Sequence, residues 1–112
     1  MVTLNTFLAL GAVLFVIGLF GALSKRNAVA ILMGIEIMLN AVNITLVAFA
    51  AAAAHAPALQ AGGIGTRLTG QIFAVFIITV AAAEAAVALA MIISIYRRRQ
   101  TIDVGDINLM RW

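Results

Sequence analysis

Three apolar stretches, each at least as long as a bilayer is thick, leave this chain few ways to fold. The first runs from about Thr3 to Leu23 without a single charge. The second runs from about Asn27 to Ala53, and its strongly polar residues are Glu36, Asn40, Asn43 and Thr45. The third runs from about Gly70 to Tyr96, with Gln71 at its start and Glu84 inside it. A helix needs roughly 20 residues to cross about 30 Å of hydrocarbon, and each stretch supplies them. Their length and the lack of strict alternation argue against strands.

Composition points the same way. Of 112 residues, 65% are apolar and 10% are charged, where a soluble domain carries about a quarter charged residues. A core this small cannot hide so much apolar surface from water, whereas a bilayer can. The expected fold is an all-α integral membrane protein, one domain over residues 1–112. Its transmembrane helices fall at about 3–23, 27–53 and 70–96, and a polar tail covers 97–112. The first stretch has no basic residue before it and exceeds a signal-peptide core, so it is expected to be a retained helix.

The connectors orient the helices. The first is very short and makes helices one and two a tight antiparallel hairpin. The second holds His55, Pro57, Gly62, Gly63, Gly65 and Arg67, a mixture not expected to sit in hydrocarbon as a regular helix. Of seven basic residues, Lys25, Arg26, Arg97, Arg98, Arg99 and Arg111 fall on one side and Arg67 alone on the other. The positive-inside rule then puts the N-terminus outside and the C-terminus in the cytoplasm. The same flanking positions make the formal charge of +3 a topology signal, with no nucleic acid implied. Without cysteine, the chain offers no thiolate metal site, iron–sulfur ligation or disulfide. His55 has no second ligand nearby, so no metal site is expected.

The candidate chemistry rests on Glu36 and Glu84. Counted from the basic ends of their helices, they lie roughly 13 and 18 Å deep at 1.5 Å per residue. Both are therefore expected to be buried near mid-membrane at similar height. A central acidic residue costs about 2.5–3.5 kcal/mol on insertion scales. No intramembrane lysine or arginine offsets that cost, so proton relay is the favoured role over plain interhelical hydrogen bonding. Asn40 and Asn43 follow Glu36 at i+4 and i+7, a supporting polar stripe able to bond a carboxyl or hold water. Gly11, Gly18 and Gly21 are expected to let helices approach closely.

The segments Ser24-Lys25-Arg26-Asn27-Ala28, Met33-Gly34-Ile35-Glu36-Ile37-Met38-Leu39-Asn40-Ala41-Val42-Asn43 and Val80-Ala81-Ala82-Ala83-Glu84-Ala85-Ala86-Val87 closely resemble the smallest three-helix membrane subunit of respiratory complex I. This is the K subunit of bacterial NADH:quinone oxidoreductase, equivalent to the mitochondrial 4L subunit. The resemblance covers nearly the whole chain; the loop at about 51–69 looks longer than usual, and Ala88 stands where glycine is common. The resemblance implies that Glu36 and Glu84 join a chain of ionisable groups linking the quinone region to antiporter-like pumping subunits. It implies no cofactor on this chain, with quinone, flavin and iron–sulfur clusters on partner subunits of the membrane-bound complex. The implied location is an energy-transducing membrane, the bacterial cytoplasmic membrane. Other readings are a small subunit of a multisubunit cation/proton antiporter, a small multidrug transporter, and a purely structural assembly subunit. The paired glutamates on helices two and three count against the antiporter subunit and, by their cost, against a purely structural role, and the absence of a glutamate from helix one counts against the transporter.

Overall fold

The computed structural model describes residues 2–55 and 63–108. Pro57, Gly62 and Arg111, singled out in the sequence, lie outside the described residues. The described chain forms three helices, α1 (Leu4–Ser24), α2 (Ala28–Ala54) and α3 (Gly63–Arg99). All three are long and apolar enough to cross a membrane. α2 packs against both neighbours, while α1 and α3 make no contact among the described residues. The middle helix is thus the one flanked on two sides.

The α1–α2 hairpin turns through Lys25, Arg26 and Asn27. Asn27 caps α2, its side-chain oxygen accepting from the Val29 and Ala30 amides at 2.9 and 3.3 Å. This satisfies two of the donors that a helix start leaves without a backbone partner. Because the turn is so short, residues equidistant from Arg26 meet across the hairpin. Gly18 meets Gly34 and Gly11 meets Ala41, and a Cβ on Gly18 would lie 2.6 Å from the Gly34 carbonyl oxygen. A Cβ on Gly11 would lie 2.7 Å from the Thr45 hydroxyl. Gly21 differs from its expected role, since a Cβ there would make only an ordinary 3.8 Å contact with Gly34. Gly34 is equally close to α1, since a Cβ on it would lie 2.7 Å from both the Ala22 amide nitrogen and the Gly18 carbonyl oxygen.

α3 begins at Gly63, seven residues before the expected start, and ends at Arg99, three beyond the expected end. Gly63, Gly65 and Arg67 are therefore in regular helix. The reason is length: at 1.5 Å per residue, 37 residues span about 55 Å, well beyond about 30 Å of hydrocarbon. A polar or glycine-containing turn excluded from hydrocarbon remains free to be helical in the interface.

At its other end α3 stops at Gln100, which adopts a positive φ of 57° and donates its amide to the Tyr96 carbonyl at 2.7 Å. The tail then folds back onto the first connector. Ala28 donates to the Ile102 carbonyl at 2.9 Å and Val104 to the Arg26 carbonyl at 2.8 Å, forming one antiparallel bridge between Asn27 and Asp103. Lys25, Arg26 and Arg97 to Arg99 are thereby gathered at one end of the molecule.

Candidate functional site

On α2 the residues meeting α1 include Gly34, Met38, Ala41 and Thr45. At 100° per residue, Glu36 and Asn43 fall on the opposite side of that helix, toward α3. There Gly70 packs on Ala50, and Ala74 and Ala81 are buried at 3% and 6% exposure. Small residues along this seam leave open grooves beside it.

Glu36 is half-buried and lines one such groove with Leu32, Met33 and Ile37 of α2 and Ala85, Ala86 and Leu89 of α3. A second groove, of about 520 Å³, continues along α2 from Asn40 through Asn43 and Val47 to Ala51, closed by Phe7 of α1 and Ile78 of α3. The polar stripe expected from the sequence thus borders two successive grooves on one flank of the seam. Asn40 is exposed. Asn43 is only 6% exposed, and neither its amide nitrogen nor its amide oxygen has a hydrogen-bond partner among the described residues.

Glu84 adjoins Ala85, which shares the groove of Glu36, so the two glutamates stand at a similar height along the α2–α3 pair. Its flank is different. Ala88 and Met91 follow Glu84 at i+4 and i+7, one stripe of the helix, and both line a groove with Ile31, Leu32 and Ile35 of α2 and Val104 of the tail. Leu32 borders both this groove and that of Glu36, which marks it as a residue of the seam between them. The two carboxyls therefore open on opposite flanks of one helix pair.

Within this chain alone Glu36 is half-buried and Glu84 exposed. Counting residues gives depth along the bilayer normal and carries no information on enclosure within the fold. Both are without a hydrogen bond or ion pair to the described residues. No three His, Asp or Glu side chains among the described residues converge as metal ligands would. His55 ends α2, its amide donating to the Ala52 carbonyl at 3.1 Å. The unpaired Asn43 amide was not legible from residue spacing and becomes visible only with the helices packed together.

These features define a class: a three-helix membrane protein carrying two carboxyls at one height on membrane-length helices. Known proteins make the class specific. The family model for NADH-ubiquinone/plastoquinone oxidoreductase chain 4L matches residues 6–112, and the chain belongs to that family. It is 52% identical over 111 residues to the NAD(P)H-quinone oxidoreductase subunit 4L of the Paulinella chromatophora chromatophore, covering 99% of this chain and 98% of that one. It is 52% identical over 110 residues to the NADH-quinone oxidoreductase subunit K of Geobacillus sp. strain WCH70, covering 98% and 96%. The subunit 4L of Nostoc sp. strain PCC 7120 is 50% identical over 109 residues, covering 97% and 98%.

Proposed function

We propose that this chain is a membrane-arm subunit of a proton-translocating NADH:quinone oxidoreductase, in which Glu36 and Glu84 relay protons or charge between neighbouring subunits. Full-length relatives named as subunits K and 4L of NADH- or NAD(P)H-quinone oxidoreductases support the membership in such a complex. The observation that carries the relay is that Glu36 lines one groove beside the α2–α3 seam, while Glu84, at a similar height, shares a helix stripe with Ala88 and Met91, which line the groove on the other flank. A group that passes protons sideways through a helix pair needs one acceptor facing each neighbour. An ordinary interhelical tie would instead point both polar groups into the seam.

In this reading Glu84 faces one partner subunit and Glu36 the other, one toward the quinone-coupling region and one toward the antiporter-like subunits. Asn40 and Asn43 extend the polar lining beside Glu36. The chain itself supplies proton-carrying groups, while the flavin, iron–sulfur clusters and quinone site belong to partners. The whole chain acts as one membrane domain, in the bacterial cytoplasmic membrane or its equivalent. Its basic end, with Lys25, Arg26 and Arg97 to Arg99, faces the cytoplasm, so the N-terminus lies outside and the C-terminus inside.

The test replaces the carboxyls without changing their shape. Glu36→Gln and Glu84→Gln should each leave the complex assembled, and at least one should strongly reduce proton pumping coupled to quinone reduction. The larger effect is expected from Glu36→Gln. Normal pumping in the double variant would end the relay assignment.

A further inference from the structure

We propose that the groove beside Asn43 holds ordered water, bonded by the Asn43 amide turned into it and by the Asn40 amide at its edge. An amide buried without partners is costly, and more so in a membrane, where no bulk solvent can reach it. Asn43 is in that position: the residue lines the groove, yet its amide nitrogen and oxygen are sealed from solvent and unbonded among the described residues. Turning the amide about its own torsions costs less than leaving it unpaired, and the groove of about 520 Å³ has room for several water molecules at about 30 Å³ each.

The occupant is water because of the coverage around Asn43. With only 6% of the residue exposed, a helix of a neighbouring subunit cannot lie against it, whereas a water molecule can follow the groove inward. The remaining walls, Phe7, Ile44, Val47, Ala48 and Ile78, offer no side-chain hydrogen bonds. Asn40 and Asn43 therefore decide where water is held.

The site has a direction. It begins one turn beyond Glu36 and reaches Ala51, one turn before His55, a run of about 16 Å along α2 at 1.5 Å per residue. It leads away from the basic end of the molecule. Water there joins the level of Glu36 to the His55 side, a branch distinct from lateral exchange with Glu84. Its part in proton movement rests on the relay reading; the presence of water does not.

The experiment uses single cysteines in the assembled complex in native membranes, read by the mass of this chain, which has no cysteine of its own. The probe is an ethylammonium methanethiosulfonate, which reacts with thiolates and therefore only where water is present. Asn40→Cys and Asn43→Cys should modify at least tenfold faster than Phe20→Cys, whose parent side chain is 70% exposed on α1. Reagent added from the His55 side should be the effective one. In a second step, Asn43→Leu should slow modification of Asn40→Cys several-fold, while Asn43→Ser should preserve it. If both groove cysteines react no faster than Phe20→Cys, the groove is dry or filled by a neighbouring subunit, and the proposal is overturned. It is equally overturned if Asn43→Leu leaves the Asn40→Cys rate unchanged. Normal pumping in the double glutamine variant would remove the relay and leave this site standing.

Discussion

Glu36 matters through the flank it occupies as much as through its charge. Leu32 and Met33 share its groove, Ile35 borders the opposite one, and Met38 packs toward Gly18 of α1. Moving the acid should therefore be tolerated in one direction only. In a Glu36→Gln background, Leu32→Glu should restore part of the proton pumping, because a shift of four residues is about 6 Å along the helix and some 40° around it. Ile35→Glu, closer along the chain but turned by about 100°, should restore little. Met38→Glu, directed at α1, should restore none. Pumping normalised to assembled complex decides this, and equal rescue by Leu32→Glu and Ile35→Glu would make Glu36 a general source of polarity. A different residue-scale effect belongs to Gln100. It holds a positive φ of 57° where a left-handed conformation costs a side chain roughly 1–2 kcal/mol. Gln100→Gly should stabilise the α3 end by up to about 1 kcal/mol, seen as slower amide exchange across residues 96–104.

Between elements, the two faces of α2 are built differently. Toward α1 it relies on backbone contact, with Gly18 against Gly34 and no space for a further carbon. Toward α3 it relies on alanines with grooves alongside. Without a hydrophobic drive between helices in lipid, close backbone approach is a main source of association. Gly18→Val should force α1 away from α2, at an overpacking cost of about 1–3 kcal/mol, and lower the yield of assembled complex. Gly21→Ala, with ordinary room for its Cβ, should assemble normally. Immunodetection of this chain in the isolated complex reads both, and equal loss from the two substitutions would refute the hairpin geometry. The glycine pairing was only half legible in the sequence. The glycines of α1 stood out, but register selected Gly18 and Gly11 over Gly21, and register is set by the three-residue turn. α3 extends beyond its membrane span because polar residues exclude a segment from hydrocarbon without excluding it from a helix.

At the scale of the molecule, three spans and a folded-back tail make a definite prediction about sidedness. His55→Cys and Gln100→Cys should label from opposite sides of the membrane with an impermeant thiol reagent, Gln100→Cys from the cytoplasm only. Labelling of both from one face would contradict three crossings. The clasp between tail and first connector depends on backbone bonds from Ala28 to Ile102 and from Val104 to Arg26. Val104→Pro removes one donor, and the tail should then become sensitive to proteolysis while the helices remain inserted. The sequence by itself determined the membrane, the number of spans and the common height of the two glutamates, because these follow from hydropathy and a fixed rise per residue. Tertiary structure alone decided which flank each carboxyl faces, that Asn43 is enclosed without a partner, and that α1 and α3 stay apart. Those depend on how one helix rotates against another, and a rotation of a few tens of degrees is set by contacts between residues far apart in the chain.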